Sequence, residues 1–300
     1  MLRCMTSAIA GLKANMTGID VTGNNVSNVN TDGFKSSSVS FRDTMYEELA
    51  GASANNANAA GTNPSQIGYG ASASSVNVNN TAGGQNATGK ASDVYIKGDA
   101  YFIVGNSAKD PGEADPNDST KRINVDTFTD YKYTRLGTLS WDSAGYLTAG
   151  EGNYVCGYQC DNTVDPPVMG TTLRAIQLPT PDSGKTISNI SIAKDGKITC
   201  NNGGKIMTVG QIAVSTFTNP GGLSQLGSSF YGKTDNAGNP RVINPDTDGT
   251  NDLITGSLEG SNVDLATEFS DMIIFERGYQ ANTKMVSVAD EMLQTLVNMK

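Results

Sequence analysis

The sequence predicts an α+β fold: long N- and C-terminal helices of coiled-coil type that pair with each other, extended linkers, and a central antiparallel β domain, either a sandwich or a barrel. Three observations lead to this prediction. Apolar residues recur at helical spacing near both ends of the 300-residue chain. A stretch rich in Ala, Gly, Ser and Asn, with almost no charge, occupies residues 50–90. Short apolar runs separated by turns fill residues 93–230.

The N-terminal helix is predicted from an apolar stripe that advances by alternating steps of three and four residues, interrupted only by Gly23. The run 24–33 is rich in Asn, Asp and Gly, so we expect the helix to end in the mid-twenties. Small residues beside the stripe either allow close approach of another helix or form ordinary helix surface: Ala8, Gly11, Ala14 and Gly18. The predicted self-assembly residues of the stripe are Leu2, Met5, Ile9, Leu12, Met16, Ile19 and Val26.

The C-terminal helix is predicted from a second stripe with a seven-residue repeat. Asn262 or Asp264 can cap its start, because a short side-chain oxygen accepts from an amide of the first turn. At about 1.5 Å per residue the helix would be about 50 Å long. The predicted self-assembly residues here are Leu265, Phe269, Met272, Tyr279, Val286, Leu293 and Val297.

Amphipathic helices at both ends are explained most simply if they pair with each other and with copies of themselves; the alternative is that both pack on the central domain. Burying the apolar side chains of the first stripe contributes on the order of 10 to 20 kcal/mol before entropy is subtracted. Isolated helices of this kind are marginally stable in water. We therefore expect the termini to be fully ordered only in an assembly.

The predicted domains follow from these patterns. Residues 1–35 with 261–300 form a terminal helical core, 36–90 with 231–260 form extended linkers with short strands, and 91–230 form the β domain. Strand signals in the β domain flank the turns 98–99, 142–145 and 194–197. The last of these contains Asp-Gly, a strong hairpin signal. A further strand is expected over 211–217.

Composition excludes several classes of function. Lys and Arg number 21 against 30 Asp and Glu, a net charge of −9, which argues against a nucleic acid or an anionic membrane surface as partner. The chain has no histidine, so the commonest general base and the commonest zinc ligand are missing. No run of apolar residues is long enough to span a membrane, and the N-terminus does not resemble a secretory signal. We predict a non-enzymatic protein without catalytic, cofactor-binding or metal-binding residues.

Acidic loops are the only metal candidates. One is the cluster of Asp110, Glu113, Asp115 and Asp118, and the other is the run 246–252. Neither supplies the bidentate Glu of a calcium loop at the required spacing, so solvated turns are expected in both places. The four cysteines are too few and too scattered for a disulfide framework and are expected to be small buried or half-buried side chains: Cys4, Cys156, Cys160 and Cys200.

Two sequence motifs resemble the signatures of flagellar rod and hook proteins. The run 24–35 is similar to the N-terminal signature of this family, and 261–269 with 276–282 is similar to its C-terminal signature. The stretches 133–137 and 145–147 also resemble β-domain strands of the family. The residues of this sequence that match the two family motifs are Asn24, Asn25, Asn28, Asn30, Thr31, Gly33, Phe34, Lys35, Ser261, Asn262, Val263 and Arg277.

The resemblance implies an axial structural protein of the bacterial flagellum. Such a protein is exported unfolded by the flagellar type III apparatus, without a cleaved signal peptide, and polymerises helically into a hollow tube. Implied partners are copies of the chain and the rod, hook-cap and hook–filament junction proteins. Stripes left for neighbouring subunits to cover fit the heterologous contacts of a helical polymer.

Within the family, the sequence favours a hook protein, with a distal rod protein as the alternative. The stretch 62–70 and the C-terminal motif look more like hook proteins, whereas 211–231 also resembles rod proteins. We expect the terminal helices to form the inner wall of the tube and the Gly- and Asn-rich stretches 30–33 and 51–90 to be its flexible joints.

Overall fold

Contacts divide the chain into two units, which are described separately. The helical unit comprises residues 1–29, 36–79 and 263–300, and the β unit comprises 30–35 and 80–262. The computed structural model describes residues 2–54, 60–107, 128–161, 168–179, 187–245 and 251–299.

In the helical unit, two long helices pack against each other: α1 spans Leu2–Ser27 and α2 spans Leu265–Asn298. Both predicted helices are therefore confirmed. Asp264 caps α2, because its carboxylate accepts hydrogen bonds from the Ala266 amide and the Thr267 hydroxyl, each at 3.0 Å. The cap satisfies an amide that has no partner within the helix.

Four short strands complete the helical unit as two antiparallel pairs. Strand β1 pairs with β4, and both pack on α1, while β2 pairs with β3. The described part of the low-complexity stretch contains short strands, as predicted, and one of them, β4, packs on α1. The strands are β1 (Ser37–Asp43), β2 (Tyr46–Ala50), β3 (Ser65–Gly68) and β4 (Ala71–Val78).

The β unit contains one large antiparallel sheet. In its main path, β13, β14, β15, β11, β7, β8, β18 and β17 lie side by side. Strands β10 and β12 also pair with β11, β9 pairs with β10, and β16 links β7 to β19. Two separate pairs, β6 with β20 and β5 with β21, lie outside this sheet.

These strands run from residue 85 to residue 259. They are β5 (Gln85–Ala87), β6 (Val94–Lys97), β7 (Tyr101–Ser107), β8 (Phe128–Thr134), β9 (Leu139–Trp141), β10 (Leu147–Ala149), β11 (Asn153–Asp161), β12 (Val168–Ala175), β13 (Ile187–Ile192), β14 (Lys197–Asn202), β15 (Lys205–Ile212), β16 (Val214–Thr216), β17 (Ser224–Gly227), β18 (Phe230–Gly232), β19 (Arg241–Ile243), β20 (Asp252–Thr255) and β21 (Ser257–Glu259).

The three predicted turns of the β unit each lie between strands: 142–145 and 194–197 join paired strands, whereas 98–99 joins β6 and β7, which pair with other strands. Ile192 lies opposite Ile198 across the turn at Gly196, and Trp141 lies opposite Leu147 across the turn that ends at Gly145. Both glycines have positive φ, 76° and 80°, a conformation that other residues adopt only with strain.

The single strand predicted over 211–217 is wrong. Strand β15 ends at Ile212 and β16 begins at Val214 because the chain changes partners there. Strand β15 pairs with β14 and β11, whereas β16 pairs with β7 and β19. The amide of Ala213, between the two strands, donates to the Cys156 carbonyl.

Strand β7 is buried on both of its faces. Phe102 and Val104 belong to one apolar cluster, and Tyr101 and Ile103, which point the opposite way, belong to a second. The sheet therefore has apolar packing on each side at its centre.

Candidate self-assembly surface

Small residues form the contact between α1 and α2. A methyl group added to Gly11 would lie 2.8 Å from Nδ2 of Asn282, and one added to Gly18 would lie 3.0 Å from the Phe275 ring. A methyl group on Gly278 of α2 would in turn lie 2.8 Å from Nδ2 of Asn15. Gly11 and Gly18 thus allow the close helix approach that the sequence suggested. Ala8 and Ala14 are each 6% exposed.

The predicted stripe of α1 lies beside this contact and is incompletely covered. Met5, Leu12, Ile19 and Val26 are half-buried. Ile9 and Met16 are exposed. The side chain of Leu2 lies outside the described part of the chain. Within one chain, the small-residue face of α1 is buried more deeply than its large apolar stripe.

The predicted stripe of α2 divides in the same way. Met272, Val286 and Leu293 are half-buried. The stripe residues that remain exposed are Leu265, Phe269, Tyr279 and Val297.

A second set of exposed apolar side chains on α2 was missed in the sequence. Its members follow at steps of eleven, seven and four residues, which places them on one face of the helix. They are Ile274, Met285, Met292 and Leu296. Helix α2 therefore presents apolar side chains on more than the face that packs against α1.

An open groove of about 350 Å³ lies between α1 and β4. Its lining is mostly apolar and, apart from Ile9 and Lys13, consists of small side chains; Lys13 is its only charged group. The residues are Thr6, Ile9, Ala10, Lys13, Ala14, Thr17, Ala71, Ser72 and Ala73. The groove adds a concave surface to the exposed side of α1.

Asn25 of α1 makes hydrogen bonds to two other elements of the helical unit. Its side chain is 1% exposed in the fold. Its amide donates to the Ser37 carbonyl at 2.8 Å and to Oε1 of Glu268 at 2.9 Å, and its oxygen accepts from the Ser37 amide at 2.9 Å. Partial burial raises the pKa of Glu268, whereas the bond from Asn25 acts in the opposite direction. One motif residue thus connects α1, β1 and α2.

Other N-terminal motif residues shape the end of α1. The side-chain amide of Asn28 donates to the carbonyl oxygen of Asn24 at 2.9 Å. The Phe34 amide donates to the Thr31 carbonyl, and Asn30 is exposed. These local bonds close the turns that follow the helix.

Lys35 belongs to a buried ion cluster in the β unit. Its ammonium lies 2.5 Å from Oε1 of Glu259, and the two side chains are 0% and 1% exposed. Nη1 of Arg135 lies 3.4 Å from Oε2 of the same carboxylate. Burial lowers the pKa of Lys35, Glu259 raises it and Arg135 lowers it. The guanidinium of Arg135 also lies over the Tyr101 ring, at 4.9 Å from its centroid.

Two residues of the C-terminal motif, Asn262 and Arg277, make separate local hydrogen bonds. Asn262, the last residue of the β unit, donates to the Thr81 carbonyl at 3.3 Å. Its sequence neighbours Ser261 and Val263 are half-buried. Arg277 lies on α2, where it is exposed and donates to Oε1 of Gln280 at 3.1 Å. The two motif residues therefore make their contacts in different units.

The remaining candidates add no further site. Within the described ranges no group of His, Cys, Asp and Glu side chains has the arrangement of a metal site, and no helix there is long and apolar enough to cross a membrane. The acidic cluster 110–118 and residues 246–250 lie outside the described residues. Cys156, Cys160 and Cys200 are buried, as predicted, whereas Cys4, which was also expected to be buried or half-buried, is exposed.

Two long helices joined through glycine contacts, with exposed apolar faces and a β unit inserted between them in the chain, fit a structural subunit that packs against other chains. Comparison with known families agrees with this class. Residues 5–35 match the family described as "Flagella basal body rod protein", and 254–299 match "Flagellar basal body rod FlgEFG protein C-terminal". The chain belongs to the flagellar rod and hook family of axial structural proteins.

Full-length relatives support the same assignment. "Flagellar basal-body rod protein FlgG" of Bacillus subtilis (strain 168) is 37% identical over 302 residues, which cover 100% of both chains. The rod protein FlgG of Buchnera aphidicola subsp. Acyrthosiphon pisum is 31% identical over 95% of each chain. "Flagellar hook protein FlgE" of Borreliella burgdorferi is 26% identical over 442 aligned positions that cover 100% of both chains.

Proposed function

We propose that this protein polymerises helically, through the exposed apolar faces of α1 and α2, into the hollow axial tube of the bacterial flagellum, as a subunit of the distal rod. The observation that carries the polymer proposal is the exposed apolar set on α2, which remains uncovered although another face of the same helix packs against α1. Exposed apolar faces of this length are typical of surfaces that a partner covers.

A second copy is the simplest partner for these faces. Both helices carry exposed large side chains, and the groove beside α1 is lined mainly by small ones. Large side chains from one copy can pack into a small-residue groove of the next. Because the surface that inserts and the surface that receives it differ, the contact is heterologous, and a heterologous contact whose rotation does not close repeats into a helical polymer.

The rod is favoured over the hook by the lengths of the relatives. The rod protein of B. subtilis aligns over 302 residues with this 300-residue chain. The hook proteins of B. burgdorferi and Treponema pallidum need 442 and 462 aligned positions, so they contain segments without a counterpart here. The hook, which the sequence favoured, is the second candidate, and the stretch 62–70 and the C-terminal motif are the features that support it.

Family membership supports the remaining parts of the proposal. We propose export through the flagellar type III apparatus without a cleaved signal peptide and contacts with neighbouring rod, hook-cap or junction proteins. The final location would be the basal body or the hook outside the cell.

Immunogold labelling of purified basal bodies from the source bacterium tests the position in the axis. Label confined to the rod would support the distal rod assignment. Label on the curved external segment would overturn it in favour of the hook, and the absence of label from the whole axis in intact and sheared samples would contradict the axial function itself.

A further inference from the structure

Four chain crossings connect the two units, and the β-unit segments at these crossings make hydrogen bonds to Glu259 or to Thr81. The crossings follow residues 29, 35, 79 and 262. On the β-unit side, the first two are the ends of the short segment 30–35, the third is the segment that starts at Asn80, and the fourth is the segment that ends at Asn262. Glu259 lies at the end of β21, within the segment that ends at Asn262, and its carboxylate contacts Lys35 of the first segment and Gly83 of the second. Its side chain is 1% exposed, so these contacts are shielded from water.

Segment 30–35 is held to Glu259 twice. The Gly33 amide donates to the Glu259 carbonyl at 2.7 Å, and the Lys35 ammonium lies 2.5 Å from Oε1. Gly33 has φ of 69°, and a methyl group there would lie 3.3 Å from the main chain of Arg135. The segment therefore passes closely between Glu259 and Arg135.

The segment that starts at Asn80 is held by the same groups. The Gly83 amide donates to Oε1 of Glu259 at 3.0 Å, and the Lys35 ammonium donates to the Thr81 carbonyl at 2.8 Å. Asn262, at the end of the third segment, donates to the same Thr81 carbonyl at 3.3 Å. Three segments that are distant in sequence thus share two acceptors.

The charges in this cluster do not balance. Lys35 and Arg135 supply two cations to a single carboxylate, and Nε of Arg135 is buried without a hydrogen-bond partner among the described residues. Apolar side chains of similar size commonly replace such a buried triad without loss of stability. Stability alone is therefore a weak explanation for three buried charges at this place.

We propose that Lys35, Glu259 and Arg135 are positioning residues that form an ionic clamp, which fixes the β-unit ends of all four chain crossings in one arrangement and thereby makes the subunit competent to polymerise. The inference rests on the proposed polymer function. The physical reason is that charge-assisted hydrogen bonds are directional. They fix the orientation of the groups they join, whereas apolar contacts fill the same space without selecting an orientation.

The test uses the full chain with Lys35→Met, Arg135→Met and Glu259→Leu combined. We expect the unfolding midpoint of the β unit to stay at or above the wild-type value, because no unpaired charge remains buried. We also expect the Gly83 amide to lose its slow hydrogen exchange, since its acceptor is gone, and the critical concentration for polymerisation to rise at least about tenfold. The single variant Glu259→Gln, which leaves two buried cations, should instead lower the midpoint.

A matched control separates the clamp from charge removal in general. Lys197 and Asp195 form an exposed ion pair at 2.7 Å in the turn between β13 and β14. Lys197→Met with Asp195→Asn should polymerise as the wild type does. If the clamp triple variant polymerises at the wild-type concentration into tubes of uniform diameter, the clamp proposal is overturned and the polymer function stands. If the wild-type chain forms no polymer at any concentration, the proposed function itself fails.

Discussion

Replacing Met16, Met285 and Met292 together by glutamine removes apolar surface that one chain leaves uncovered on its helical unit. The three side chains are 56%, 54% and 45% exposed. Full burial of a methionine contributes roughly 1.5 to 3 kcal/mol, so covering the exposed half of each contributes about 1 kcal/mol. Glutamine keeps nearly the same helix propensity and length, so the helices themselves should be unchanged.

Together the three substitutions should weaken each added contact by about 3 kcal/mol, which corresponds to a rise of roughly a hundredfold in critical concentration. Pelleting of polymer over a series of protein concentrations measures this quantity, and far-UV circular dichroism checks that helix content is retained. Ile206→Thr is the control, because Ile206 is 77% exposed but belongs to strand β15 of the β unit. The reasoning is refuted if the triple variant polymerises at the wild-type concentration or if Ile206→Thr shifts it equally.

Three further predictions concern stability and reactivity. Gly18→Ala should melt below Gly23→Ala in thermal unfolding, because the methyl group meets an aromatic ring of α2 at 3.0 Å in the first variant and nothing within 4 Å in the second. Asn25→Asp should lower the free energy of unfolding by about 2 to 3 kcal/mol through lost donors beside a carboxylate, whereas the exposed Asn24→Asp should change it by less than about 0.5 kcal/mol. Burial raises the pKa of the Cys156 thiol to about 12, so iodoacetamide should label it only after unfolding in guanidinium.

Each of these three predictions has an outcome that would contradict it. Equal melting of the two glycine variants would show that α1 and α2 do not meet at this contact. Equal stability of the two aspartate variants would remove the central role of Asn25. Labelling of Cys156 in the folded protein at the rate of a free thiol would show that the strand it lies on is not buried.

The helices and the local turns could be predicted because their signals are local. A seven-residue apolar repeat and a capping Asp264 favour α2, and the Asp-Gly pair at the turn at Gly196 favours the hairpin that β13 and β14 form. The break at Ala213 could not be predicted, because it depends on which distant strands pair with each side of it.

The sequence motifs located functional segments without revealing what their residues contact. Lys35 was assigned by resemblance alone, and its partner Glu259 was missed because the two are 224 residues apart. One signal was present: Glu259 is the only charged residue in the run 253–263, and an isolated charge among apolar and small residues commonly has a buried partner. The second apolar set on α2 was not predicted because it lies on a different helix face from the seven-residue repeat and does not follow that repeat.

Hydrogen exchange of the α2 amides, compared between the dilute chain and the sedimented polymer, tests most directly whether neighbouring copies complete the terminal helices. We predict that exchange across Leu265–Asn298 slows strongly in the polymer, while the core strand β7 is equally protected in both states. Equal protection of α2 in the dilute chain and the polymer would contradict the account, because the helices would then gain nothing from their neighbours.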